Sequence, residues 1–254
     1  MSPTPPHNPL AHERYPRSNR YDPQWVFDNL MGPHPLWLLE ALCEHLVIEP
    51  GLRVLDLGCG TALTSIFMAK EFGVKVWATD LWIAAEENQA RIEAAGVGDL
   101  VTAVHAEAHA LPFEDEHFDL VVSLDAYHYF GTDDLYIGAL SRLIRPGGRI
   151  GIVVPGVKQE LEAIPEVLAP YWQWDFCSFH SPAWWRRHWD KTTKVRVERA
   201  DLVPGGHEDW LRFEEATAMH GVGWHREAGA REAAMLRADA GEYLGFVQMV
   251  AVKA

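Results

Sequence analysis

Val54-Leu55-Asp56-Leu57-Gly58-Cys59-Gly60-Thr61-Ala62 carries the strongest local pattern in the chain. An apolar run ends in an acid, and two glycines follow one residue apart. A helical pattern opens at Thr61, with Leu63, Ile66, Phe67 and Ala69 on its apolar face. The spacing predicts strand, tight glycine turn, helix. Without Cβ atoms in the way, the turn brings backbone N–H groups up to whatever lies at the strand's carboxyl end.

Turns of this kind serve nucleotide-like ligands. A dinucleotide fingerprint requires a small residue at its third position, where this chain has Leu63, and no Gly-Lys-Ser/Thr phosphate loop is present. The stretch resembles the first motif of class I S-adenosylmethionine (SAM) dependent methyltransferases, D-x-G-x-G-T-G, of the small-molecule type that includes ubiquinone and menaquinone biosynthesis enzymes. Ala62 stands where that motif has its last glycine, which predicts a small change of loop conformation with binding retained. The resemblance implies SAM as methyl donor, S-adenosylhomocysteine as product, and Asp56, Gly58, Cys59 and Gly60 as cofactor-binding residues.

Further marks of that family follow in order. The second predicted strand, Lys75 to Thr79, ends at Asp80, placed to accept hydrogen bonds from both hydroxyls of a ribose. By the resemblance Leu81 and Trp82 pack on adenine. After a third strand, Val101 to His105, comes Glu107-Ala108 before Leu111-Pro112-Phe113. The family has Asp-Ala there, so Glu107 and Ala108 are assigned to the adenine edge. The fourth strand, Phe118 to Ser123, leads into Leu124-Asp125-Ala126-Tyr127-His128-Tyr129. Ligands of open α/β sheets bind outside the carboxyl ends of strands, which places Leu124 at the cofactor and makes His128 a candidate base with Asp125 as its orienting carboxylate. Tyr127 and Tyr129 are candidates for the substrate wall. The competing reading is a capped turn around a packed histidine. A helix beginning at Thr132-Asp133-Asp134, the turn Arg145-Pro146-Gly147-Gly148-Arg149 and a fifth strand from Ile150 complete the motif-bearing region.

Outside it, residues 1–20 contain five prolines and little periodicity, and are predicted to be a mobile arm. Residues 21–47 resemble the family's lid segment, with Tyr21, Trp25 and Met31 lining the site or simply anchoring the arm. Residues 156–193 crowd eight aromatics into positions 171–189 and are predicted to cap the substrate pocket. Trp184, Trp185 and His188 are the ligand-facing candidates, against the alternative that the rings only bury the insertion.

The chain has 254 residues, 48% hydrophobic and 23% charged, which suits one globular domain spanning 1–254. With 22 basic and 36 acidic residues the net charge is −14, which argues against nucleic-acid binding. No apolar run matches a bilayer's thickness, no signal peptide opens the chain, and the three cysteines are scattered, so a cytoplasmic protein without membrane or disulfide framework is expected. The 13 histidines show no metal-ligand spacing. Oligomeric state is not legible. The fold expected is a doubly wound α/β sheet of seven strands, mostly parallel, with an antiparallel last strand. The reaction expected is methyl transfer to a small-molecule O, N, C or S nucleophile. The competing functions are a SAM-binding regulatory module and a nicotinamide-dependent oxidoreductase, the latter disfavoured by Leu63.

Overall fold

In the computed structural model, which describes residues 8–254, one seven-stranded sheet organises the chain. Its strands are β1 (Arg53–Leu57), β2 (Lys75–Asp80), β3 (Val101–His105), β4 (Phe118–Leu124), β5 (Ile144–Val157), β6 (Val195–Leu202) and β7 (Leu244–Lys253). Their spatial order is β3-β2-β1-β4-β5-β7-β6. The first five pair in parallel, and β7 lies antiparallel between β5 and β6. The chain order reverses between β1 and β4, so a crevice opens at their carboxyl ends, as expected where a sheet is wound in both directions.

The helices cover both faces. On one face α1 (Pro23–Asp28), α2 (Pro35–Cys43), α3 (Leu63–Phe72), α4 (Ala85–Ala94), α7 (Gly206–His220) and α8 (Trp224–Asp239) contribute to a core that includes Leu36, Leu39, Phe67 and Phe213. On the other, α5 (Tyr136–Arg142) and α6 (Pro182–Asp190) pack Ile137, Trp185 and Trp189 onto Leu55, Val121 and Ile152. Continuous burial along β4 and β5 explains their unbroken apolar sequence.

Three expectations change. Residues 1–7 lie outside the described residues, but residues 8–20 are docked. Leu10 and Tyr15 are buried, the Tyr15 hydroxyl donates to Asp209 at 2.7 Å, and the backbone N–H groups of Arg17 and Ser18 donate to Glu40 at 2.9 Å each. Proline-rich composition hid these anchors. The helix expected from Thr132 starts at Tyr136. Strand β5 starts at Ile144 instead of Ile150, because Arg145-Pro146-Gly147-Gly148 is accommodated as an irregularity of the ladder between the pairs Phe118–Ile144 and Leu120–Arg149.

Candidate active site

A cavity of about 290 Å³ lies at the carboxyl ends of β1, β2 and β4. The glycine turn forms its floor. Gly58 and Gly60 have φ of 73° and 54°, and a Cβ on Gly58 would collide with Ala126 on the facing loop. Ala62 has φ 63°, so it adopts the left-handed conformation that a third glycine would take without strain. Ala62 holds this conformation at an energetic cost. The turn is tied to β2 by Gly58 N–H and Cys59 N–H donating to the Thr79 carbonyl at 2.8 and 3.1 Å.

Asp80 sits at the end of β2 on the cavity wall, 8% exposed. Its Oδ2 accepts from Gly60 N–H at 2.8 Å, and its Oδ1 accepts from Trp82 and Ile83 N–H at 2.7 and 3.1 Å. A carboxylate offers about four acceptor positions. With three taken, one good position is left for a ribose hydroxyl, where the sequence suggested two. Leu81 and Trp82 form an exposed rim, and the Trp82 ring lies 5.8 Å from that of Tyr129 across the mouth. Cys59, Ala108 and Leu124 also line the cavity. So does Glu107, but its two oxygens accept from His109 N–H at 2.9 Å and meet His109 Nδ1 at 2.8 Å. That hydrogen bonding from His109 holds its carboxyl below the usual range.

Asp56 does not reach the cavity. It is 1% exposed behind the turn, and its Oδ2 accepts from Thr64 and Ser65 hydroxyls at 2.6 Å each. Its role is to pin the first turn of α3 against β1. Burial pushes its carboxyl up to about 6 against those two hydrogen bonds, and its Oδ1 has no partner.

Several substrate-side expectations are corrected. Tyr127 is fully buried, with its ring beside Gly131 and 5.6 Å from that of Trp189. Trp185 is likewise in the core, and Trp184 stacks on His180 at 3.7 Å. His188 Nε2 meets the Gly131 carbonyl at 3.1 Å. The segment that holds them is the β5-to-β6 crossover of the doubly wound sheet, so its helix covers the sheet and not the cavity. Tyr21 and Trp25 stack on each other at 5.6 Å, and Tyr21 bonds Glu71 on α3, so they anchor the N-terminal segment. Tyr129 and Met31 do line the cavity.

Asp125 and His128 do not form the expected dyad. Asp125 is on the cavity wall, half-buried, with φ 54°. Burial, then the charges of Glu232 and Asp175, push its carboxyl well above the usual range. His128 is 2% exposed, and its Nδ1 has no hydrogen-bond partner. Burial lowers its pKa to about 3, so it stays neutral and is a weak proton acceptor.

The sequence reading missed Asn29, Thr61 and Asn88. Thr61 donates to the Asn29 carbonyl at 2.6 Å, clamping the lid to the turn, and Asn88 Nδ2 donates to the Gly60 carbonyl at 2.8 Å. Asn88 carried a signal, since it lies four residues before Ile92 on the buried side of α4. Asn29 and Thr61 carried none. Among the described residues no acidic, histidine and cysteine grouping could hold a metal ion, and no helix is long and apolar enough to cross a membrane.

Comparison with known proteins agrees with this geometry. Residues 54–148 match a methyltransferase-domain family. The 27-O-demethylrifamycin SV methyltransferase of Amycolatopsis mediterranei is 33% identical over 140 residues, covering 51% of this chain and 51% of that one. A ubiquinone/menaquinone biosynthesis C-methyltransferase of Cupriavidus necator is 28% identical over 143 residues, covering 54% of this chain and 56% of that one. The chain thus spans about half the length of the curated relatives it matches. Among solved structures, a SAM-dependent methyltransferase from Geobacter sulfurreducens in complex with S-adenosylhomocysteine superposes with a TM-score of 0.67 at 22% identity, covering 92% of this chain and 99% of that one. Phosphoethanolamine N-methyltransferase 2 of Haemonchus contortus, in complex with SAM, gives 0.75 at 20% identity, covering 91% of this chain and 55% of that one. These two share the fold. Residues 54–148 thus match a methyltransferase domain, and the similarity to curated methyltransferases extends over about half of this chain.

Proposed function

We propose that the chain transfers the methyl group of SAM to a small-molecule acceptor. The observation that carries this reading is one cavity bounded by the glycine turn, by Asp80 at the end of β2 and by Asp125 beyond β4. The turn offers a close approach that a Cβ would block, and Asp80 keeps an acceptor position for a hydroxyl. The residues therefore fit the nucleoside of the cofactor. SAM, when bound, supplies a methyl carbon made electrophilic by its sulfonium.

The chain's own residues do the rest. Asp80 orients the ribose end, while Leu81, Trp82 and Ala108 flank the base. Glu107 keeps its carboxyl turned to His109 and shapes that edge more than it hydrogen-bonds it. Met31, Pro33, Tyr129 and Phe130 wall the cavity with apolar surface. That surface keeps water from stabilising a sulfonium and holds the acceptor in line with the methyl group. Asp125 is the ionisable group on the acceptor side, and burial raises its carboxyl's affinity for a proton above the usual carboxylate range.

The test is incubation with methyl-labelled SAM and a panel of amines, phenols, alcohols and thiols, followed by label capture and S-adenosylhomocysteine release. Stoichiometric label transfer supports the reading. Binding of S-adenosylhomocysteine with no transfer to any acceptor class would favour a regulatory SAM-binding module instead.

A further inference from the structure

We propose that His109 reads the base of the cofactor. Its Nε2 accepts a hydrogen bond from the exocyclic amine of adenine, and Glu107 is the positioning residue that makes that nitrogen an acceptor. The inference rests on the methyltransferase reading and assigns the base end of the same cavity.

The two residues sit in a short turn after β3. Ala110 N–H donates to the Glu107 carbonyl at 2.9 Å and closes it. The turn has a fixed place relative to the ribose acid, because Ala106 N–H donates to the Asp80 carbonyl at 3.0 Å. Within it the Glu107 side chain folds back. Its Oε2 accepts from His109 N–H at 2.9 Å, and its Oε1 meets His109 Nδ1 at 2.8 Å.

That second contact settles the tautomer. An ionised carboxylate only accepts hydrogen bonds. The Nδ1 that meets it therefore carries the ring proton, and in the neutral imidazole Nε2 is left with a free lone pair. The carboxylate beside Nδ1 polarises the ring and strengthens Nε2 as an acceptor. Among the described residues Nε2 has no hydrogen-bond partner of its own.

The ring is also braced. It meets the ring of Tyr136 at 4.9 Å and 67°, edge against face. Tyr136 is buried on α5, and its hydroxyl donates to the Ala108 carbonyl at 3.2 Å. One core side chain thus steadies both the imidazole and the backbone next to it. His109 lines the cavity with Glu107 and Ala108, opposite the rim formed by Leu81 and Trp82. Its side chain is 47% exposed, so a ligand can reach it.

Both oxygens of Glu107 are already engaged by His109, while Nε2 is engaged by nothing. An acceptor at this edge suits the amine of adenine, which donates. A hypoxanthine base carries a carbonyl oxygen in place of that amine. Two lone pairs would then face each other, and the base is rejected.

The experiment is calorimetric titration of S-adenosylhomocysteine and S-inosylhomocysteine, whose base has that carbonyl, into the full chain. Wild type should prefer the adenine compound about 10-fold or more. His109→Phe keeps a ring against Tyr136 and removes the acceptor, so the preference should fall close to parity. Glu107→Ala lets the ring place its proton on either nitrogen, so part of the preference should go. Both side chains are about half exposed, so neither variant should lower the midpoint of thermal unfolding. Equal affinities in the wild type overturn the proposal, as does a preference that survives in His109→Phe; its loss in Glu107→Ala would then give the base to Glu107. A preference lost in His109→Phe and fully kept in Glu107→Ala overturns the positioning role of Glu107. Failure of either compound to bind the wild type overturns the methyltransferase reading, and this assignment with it.

Discussion

Replacing Asp80 by Asn tests how much of cofactor binding rests on one carboxylate. Three of its acceptor positions are filled by the N–H groups of Gly60, Trp82 and Ile83, so one is left for a ribose hydroxyl. A hydrogen bond to a charged partner contributes about 1.5–3 kcal/mol. The expected loss in affinity for S-adenosylhomocysteine is therefore about 10- to 150-fold, and not the square of that range expected if both hydroxyls bonded the acid. The same substitution places an amide N–H₂ or leaves a single oxygen opposite three backbone donors. Exposing one buried donor to a missing acceptor costs about 1–3 kcal/mol, which lowers the midpoint of unfolding by roughly 2–12 °C in a chain of this size. Calorimetry at a temperature well below that midpoint separates the two effects. Unchanged affinity in a folded Asp80→Asn protein would refute the assignment of Asp80 to the ribose.

Other substitutions probe the remaining assignments. Asp56 rises from its ordinary 3.8 to about 6 in the fold. A folded state that binds the proton more tightly loses stability as pH rises through that interval. Wild type should therefore lose up to about 3 kcal/mol relative to Asp56→Asn between pH 4 and pH 7, measured by urea unfolding; a flat difference would refute the shift. Trp185→Ala should cost about 3–5 kcal/mol of stability with affinity for S-adenosylhomocysteine unchanged at low temperature, since the ring is in the core; a drop in cofactor affinity without a loss of stability would return it to the ligand wall. Asp125→Asn should reduce turnover far more than His128→Gln does, because Asp125 lines the cavity and His128 is held neutral; the opposite order in steady-state rates would restore His128 as the base. Ala62→Gly relieves a left-handed alanine worth about 1 kcal/mol, so its midpoint should hold or rise slightly and cofactor affinity should persist.

The motif-bearing half of the chain was legible because its signals are local. An apolar run, an acid and two glycines specify a strand and a turn wherever they occur, and β1, β2 and β3 lie where the sequence placed them. What the sequence could not convey is which face of the sheet a segment covers. Trp184, Trp185 and His188 look like a ligand cap because aromatic rings in a row suit both a pocket and a core. The β5-to-β6 crossover decides for the core. Asp56 was misassigned for a related reason: its side chain alternates away from the cavity along β1, toward Thr64 and Ser65. Residues 8–20 were misread because proline content reports local stiffness and not the anchors at Glu40 and Asp209.

The most direct measurement is a thermal-shift series with SAM, S-adenosylhomocysteine and NAD, each far above its dissociation constant. A ligand that binds only the folded state at 100 times its dissociation constant adds about 2.7 kcal/mol, or roughly 5–11 °C for a chain of this size. SAM and S-adenosylhomocysteine should each give that shift and NAD none. A shift with NAD alone, or with none of the three, would mean that the cavity at the glycine turn does not hold SAM.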